Sequence, residues 1–247
     1  MNIENIDELI KKIQSLGVEV LSDVSEYEKD KTPSLTGKAL FTIVPGDADE
    51  LSEALKMLFV QKIPLFARGG GTGVTGGAVP FDGVVVSFAK MNRIIELDEN
   101  NMTITVEPGV ITAEINKAAS EKKLFYPPDP ASLNECSIGG NVAVSAGGPH
   151  AVKYGTTKDY VLGMEFVTAD GKKMHWGAKT VKNSAGFSLG QLIVGSEGTL
   201  AFVTKLILKL IPAPQFSCDI LASFNSIESA VSCVNKILLG KISPAAL

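Results

Sequence analysis

Residues 67–80 read Ala67-Arg68-Gly69-Gly70-Gly71-Thr72-Gly73-Val74-Thr75-Gly76-Gly77-Ala78-Val79-Pro80, or ARGGGTGVTGGAVP, directly after the apolar run Ile63-Pro64-Leu65-Phe66. Six glycines fall between positions 69 and 77. So many glycines are entropically expensive in a plain connecting loop. They suit a loop whose backbone must come close to something else. Gly71-x-Gly73-x-x-Gly76 has the GxGxxG spacing of dinucleotide-binding turns, but that turn must open directly into a helix. Here Pro80 and Gly83 follow, and then the strand-like VVVSF (84–88). A Walker loop fails as well, because no lysine follows the glycines. What is left is a nest of backbone N–H groups suited to an anion, with Arg68 and the hydroxyls of Thr72 and Thr75 beside it.

The flanking signals alternate between strand and helix. FTIVP (41–45) and IPLFA (63–67) read as strands around a helix from Asp47 to Val60, whose Leu51, Ala54, Leu55 and Leu58 share one face. With VVVSF this makes a small α/β unit. RIIELD (93–98) and MTITVEP (102–108) read as a hairpin, and Val110 to Lys122 as a helix. Phe125 to Tyr160 shows no regular period and is rich in Gly, Pro, Ser and Asn, which in a compact chain marks a functional segment. YVLGMEFVTADGKKMHW reads as a second hairpin turning at Ala169-Asp170-Gly171. A short helix over Leu189 to Val194 and a β-rich run over 199–212 follow. Apolar residues Ile6, Leu9, Ile10, Ile13 and Leu16 predict an N-terminal helix ending near Gly17. In the tail, CDILASF (218–224) reads as a strand, Ser226 to Leu239 as a helix and ISPAAL (242–247) as a second strand. Such a fragment cannot cover its own apolar face, so the chain reads as a piece of something longer, or as one completed by a partner.

Composition narrows the function. The 247 residues include 23 basic and 27 acidic side chains, a formal charge of −4, with no run of Lys or Arg longer than two. That argues against a nucleic-acid binder. The three cysteines, Cys136, Cys218 and Cys233, have no CxxC spacing, so neither a disulfide framework nor a structural zinc site is expected. The two histidines, His150 and His175, show no metal-ligand spacing, and no metal site is expected. The N-terminus is acidic and amphipathic rather than signal-like, and no segment has the length of a membrane span. The reading is a cytoplasmic protein, with a peripheral membrane association left open.

A second glycine-rich segment, YPPDPASLNECSIGGNVAVSAGGPHAVKYGTTKDY (126–160), and a third motif, KNSAGFSLGQLIVGSEGTLAFVT (182–204), follow the first loop in order. Together they resemble the flavin domain of the vanillyl-alcohol oxidase / p-cresol methylhydroxylase superfamily, over roughly Ala39 to Pro212. Within it the chain is most similar to the FAD-linked 2-hydroxy-acid oxidoreductases, which include glycolate oxidase D subunits and D-lactate dehydrogenases. The resemblance implies an α+β fold: two α/β subdomains, about 39–90 and 91–213, forming a PCMH-type FAD-binding domain. Residues 1–38 would be an N-terminal helix and linker, and 214–247 the start of an incomplete cap domain.

The resemblance also implies roles. Arg68, Gly69, Gly70, Gly71, Thr72, Gly73, Gly76 and Gly77 would wrap the FAD pyrophosphate, and Ser87 would lie near the adenine or ribose. Pro128, Asp129, Pro130 and Ser132 would line the cofactor groove. Ser137, Gly139, Gly140 and Asn141 would lie along the pyrophosphate and isoalloxazine, followed by Ser145, Gly148 and Tyr154. Glu197, Gly198 and Val203 would contact the flavin or the adenine end. The first loop has no histidine, so the FAD is expected to be non-covalent. His150 is either a contact to flavin or substrate or an ordinary loop histidine.

In the resembling family a flavin N5 takes hydride from the Cα of a small 2-hydroxy acid, while base and carboxylate ligands lie largely in the cap. The catalytic residues of this chain are therefore not assigned by its sequence. The implied partners are that substrate and the missing cap or a partner subunit, with a homo-oligomer as a further expectation. Alternatives are a non-catalytic FAD-binding or electron-transfer subunit, another flavoenzyme on the same fold such as an enolpyruvyl reductase or an alkyl-ether lipid synthase, and a phosphate binder without flavin.

Overall fold

The computed structural model describes residues 6–247. Helix α1 (Ile6–Ser15) precedes a four-stranded sheet made of β1 (Glu19–Leu21), β2 (Lys38–Val44), β3 (Leu65–Arg68) and β4 (Phe81–Ser87). Its spatial order is β1-β2-β4-β3. β4 runs parallel to both β2 and β3, and β1 closes one edge antiparallel. Gly83 to Ser87 are all buried, as expected of a central parallel strand covered on both faces. Helix α2 (Ala48–Val60) links β2 to β3. The Asp47 side chain starts it by accepting from the amides of Asp49 and Glu50, satisfying two of the donors a helix start leaves open. The face of α2 carrying Leu51, Ala54, Leu55 and Leu58 packs with Ile13, Phe41, Ile43, Val84 and Val86 into one core.

This topology explains the first glycine loop. β3 and β4 are neighbours in parallel register, with Leu65 opposite Val84 and Arg68 opposite Ser87. A hairpin turn cannot join parallel neighbours, so the chain must travel back along the strand. Residues 69–80 make that return without a helix, leaving an extended backbone at one end of the sheet.

The second sheet is antiparallel. It contains β5 (Ile94–Asp98) and β6 (Thr103–Val106), then, after α3 (Thr112–Ser120) and the short β7 (Leu124–Phe125), β8 (Val161–Val167), β9 (Lys173–Gly177) and β10 (Phe202–Lys209). Its order is β5-β6-β10-β8-β9. Both hairpins expected from the sequence, β5–β6 and β8–β9, are present. β10 alternates buried and half-buried residues along its length, the pattern of a strand with one face on the core. That core gathers Ile104, Val106, Ile115, Tyr126, Ile138, Leu206 and Leu208. Burial pushes the Tyr126 phenol well above its ordinary pKa. β11 (Ile211–Pro212) pairs with β7.

The two sheets meet through α2 and the β8–β9 turn. Ser52 Oγ donates to the Gly171 carbonyl at 2.6 Å in a buried contact, and Lys173 pairs with Asp49 across the same junction. Val167 and Phe202 of the second sheet pack into the core of the first.

Two expectations are corrected. Phe125 to Tyr160 is not featureless, since it contains α4 (Ile138–Val144) and α5 (Ala151–Tyr154). Gly139 and Gly140 weaken the intrinsic helix signal of α4. Tertiary partners restore it, because the amides of Ile138 and Gly139 donate to the carbonyls of Val110 and Pro108. In the tail, neither 218–224 nor 242–247 is a strand; among the described residues neither pairs with another strand. After α6 (Leu189–Ile193), the last helix, α7 (Ile227–Leu239), does form, with Ser226 capping it through the Ser229 amide. No residue of α7 is buried, and Phe216, Ile220 and Leu221 before it are also exposed.

Leu55→Ala should therefore lower unfolding stability by about 2–5 kcal/mol, the usual range for a fully buried leucine. Leu239→Ala, at 83% exposure, should stay within about 0.5 kcal/mol of the parent. Urea unfolding of the two variants checks the contrast.

Candidate cofactor site

The two glycine-rich segments, far apart in sequence but adjacent in space, face each other across a cleft between the sheets. Its walls bring together Gly69, Gly70, Gly71, Thr72, Gly73 and Gly77 with Pro130, Ser132, Ser137, Gly139, Gly140 and Asn141, and with Glu197, Gly198 and Val203 from the third motif. The empty space, open mouth included, is about 1090 Å³.

Ser137 joins the segments. Its buried Oγ accepts from the Gly70 amide at 3.2 Å and from the Gly140 amide at 3.3 Å, so it caps α4 and pins the loop in one contact. Close approach here demands glycine: a Cβ on Gly69 would stand 2.2 Å from Ser137 Oγ, and one on Gly70 2.5 Å from the Glu135 carbonyl. Ser132 Oγ adds a longer tie to Thr72 Oγ1 at 3.4 Å.

Arg68 does not line the cleft. Its guanidinium donates to the carbonyls of Glu26, Tyr27 and Lys29 and lies over the Tyr27 ring. Burial lowers its pKa from the usual guanidinium value, with Asp30 the main group opposing this. The side chain thus fastens segment 26–30 to the root of the glycine loop, and the Lys31 amide extends the tie by donating to the Gly73 carbonyl at 3.0 Å.

The remaining predicted residues stand back from the cleft wall. Gly76 sits at positive φ in the loop's final turn. Ser87 Oγ accepts from the Ala89 amide. Ser145 ends α4 in the left-handed conformation. Gly148 packs on Asp129, where any Cβ would meet the Asp129 carbonyl at 2.2 Å, and Pro128 is buried beside it. His150 Nδ1 lies 3.0 Å from Asp129 Oδ2, outside hydrogen-bonding alignment, while its amide donates to Asp129 Oδ1. Its ring and that of Tyr154 form an edge-to-face cluster with Phe125. His150 is thus part of a packed corner rather than of the cleft wall. Asn141 Nδ2 donates to Thr112 Oγ1 at 2.6 Å, which fixes α4 against α3.

Sequence reasoning missed Asp30, Phe88 and Pro108, which also line the cleft. Asp30 lay in a segment read as linker. Its only sequence signal is Asp30-x-Thr32, an Asx-turn pattern.

The loop suits an anionic ligand. Among the described residues, the amides from Gly71 to Ala78 donate to no protein acceptor. Gly73 and Gly140 lack steric reasons to be glycine: a Cβ on either would find its nearest neighbour at 3.8 Å and 3.4 Å respectively. Both open onto the cleft, so what their missing side chains leave room for is a ligand. No group of three His, Cys, Asp or Glu side chains among the described residues is placed to hold a metal.

Comparison with known proteins agrees. The family model described as FAD binding domain matches residues 39–177. The chain belongs to this FAD-binding family. It is 43% identical over 222 residues to the glycolate oxidase subunit GlcD of Bacillus subtilis, covering 90% of this chain and 47% of that protein. It is 40% identical to a D-lactate dehydrogenase of Archaeoglobus fulgidus, covering 98% and 54%. Among solved structures it resembles an alkyldihydroxyacetonephosphate synthase with a TM-score of 0.82 at 19% identity, covering 97% of this chain and 46% of that one, a likeness of fold. The chain spans about half the length of the curated relatives it matches. The fold expected from the three motifs, a PCMH-type FAD-binding domain, is the one found, and its cofactor is FAD. No described helix is long and apolar enough to cross a membrane.

Gly140→Ala separates ligand space from fold. Inside α4 the added methyl should leave the apo protein as stable, or raise its stability by up to about 1 kcal/mol. FAD affinity should fall by roughly 5- to 100-fold, since the methyl occupies ligand space and overpacking costs on the order of 1–3 kcal/mol. Thermal melting without FAD and a flavin-fluorescence titration report the two effects.

Proposed function

We propose that this chain is the FAD-binding portion of a flavin-dependent oxidoreductase that oxidises a 2-hydroxy acid of the glycolate or D-lactate type. The observation that carries the reading is the loop of unpartnered amides facing the Ser137 segment across a glycine-lined cleft, in a chain whose relatives are named for those two substrates. The amides of 71–78 hold the pyrophosphate, Gly73 and Gly140 let it approach, and Pro130, Ser132 and Val203 bound the rest of the cofactor. The bound flavin supplies the acceptor for the two electrons released as the alcohol carbon becomes a ketone or aldehyde carbon.

Attachment is non-covalent in this reading. The loop has no histidine, and the buried Cys136 thiol donates to Thr112 Oγ1 at 3.4 Å.

Oxidising a 2-hydroxy acid also requires a base for the hydroxyl proton and a cation for the carboxylate. No Lys, Arg or His stands among the cleft-lining residues. We therefore assign those groups to the part of the whole protein that the relatives' greater length represents. The uncovered apolar face of α7, with Ile227, Val231 and Leu238, is the surface we assign to contact with it. The half described here shields and orients the cofactor, while substrate recognition belongs to the complete enzyme.

The purified chain, mixed with FAD and desalted, should retain a flavin absorption spectrum, and acid precipitation should release all of it to the supernatant. Flavin left in the pellet would refute non-covalent attachment. Complete loss on desalting, with no effect of FAD on thermal melting, would refute the cofactor seat. In a full-length protein, glycolate or D-lactate should bleach the bound flavin anaerobically.

A further inference from the structure

Segment 26–32, between β1 and β2, is held to the glycine loop more tightly than a linker requires. Arg68 binds three of its carbonyls, the Lys31 amide binds the Gly73 carbonyl, and Lys31 Nζ reaches Glu135 of the opposite wall at 2.5 Å. Within this strap, Asp30 Oδ1 accepts from the Thr32 amide at 2.8 Å, completing an Asx turn. Asp30 Oδ2 is buried and accepts nothing among the described residues. It faces Gly73, 3.8 Å from where a Cβ would stand, on the cleft wall. The neighbouring cations are committed elsewhere, Arg68 to carbonyls and Lys31 to Glu135. A buried carboxylate oxygen without a donor is costly, and native proteins rarely leave one so.

We propose that segment 26–32 is a third cofactor-binding element and that Asp30 Oδ2 accepts a hydrogen bond from a sugar hydroxyl of the bound FAD. The inference rests on the FAD reading above. A carboxylate repels phosphate, so its ligand partner is a neutral donor, and the pyrophosphate belongs to the amides on the other side of Gly73. A carboxylate accepting from a sugar hydroxyl is an established way of reading dinucleotides. FAD offers such hydroxyls on its ribose and on its ribityl chain.

Two substitutions test this. Asp30→Asn can keep the acceptor toward the Thr32 amide while turning the other atom into a donor. Asp30→Ser retains a turn acceptor and deletes that atom. Each should weaken FAD binding by about 10- to 100-fold, the worth of a hydrogen bond to a charged group, with the apo melting temperature unchanged. If the ribose is the partner, ADP affinity falls in parallel and FMN affinity does not; the reverse pattern assigns the ribityl chain.

FAD affinity within twofold of the parent in a variant that melts normally overturns the proposal. So does equal weakening of ADP and FMN, which would mark a general distortion of the loop. If both variants melt early, the role of Asp30 is structural and the proposal fails. A parent chain that takes up no FAD overturns the cofactor reading itself, and this inference with it.

Discussion

Ser137 Oγ is the contact on which the site depends. One hydroxyl accepts the Gly70 amide from the return loop of the first sheet and the Gly140 amide from the first turn of α4. It therefore ties the return loop of the first sheet to α4 across the cleft. Glycine at 69 and 70 follows from this contact, because the backbones meet too closely for any side chain. The length of the loop follows from topology, because parallel neighbours cannot be joined by a short turn.

Around that contact the protein separates two kinds of glycine. Gly69, Gly70, Gly139 and Gly148 are required by the protein's own packing, where a Cβ would strike neighbouring atoms. Gly73 and Gly140 are not, and they border the cleft. The amides of 71–78 are likewise left without protein acceptors. In the proposed reading, a ligand takes up that space and supplies acceptors for those amides. Arg68, which a sequence reading places against phosphate, instead holds the strap that shapes this loop. In the proposed reading, attraction for the dinucleotide would come from backbone dipoles rather than from a side-chain cation.

The cleft-lining residues include the acids Asp30 and Glu197 and no basic side chain. Such a wall offers no cation to a carboxylate, in keeping with the proposal that substrate recognition lies elsewhere in the whole protein. This agrees with a chain about half as long as its relatives, whose last helix carries an uncovered apolar face.

Much of this was legible in the sequence because its signals are local. The hairpins, the helix over 48–60 and the two glycine-rich segments are written in period and composition. Their order was enough to recognise the fold family, and with it FAD. Helix α4 was not legible, since Gly139 and Gly140 hide it and tertiary partners, among them the carbonyls of Pro108 and Val110, stabilise it. The tail strands were read from β-rich runs, yet a strand exists only where it pairs, and among the described residues neither run pairs with any strand. The task of Arg68, the place of His150 in an aromatic corner and the orphaned oxygen of Asp30 each depend on residues distant in sequence. Composition and spacing determined which backbone could wrap a dinucleotide; only the tertiary structure decided which side chains face it, because a side chain's role is set by the partners folding brings within hydrogen-bonding distance.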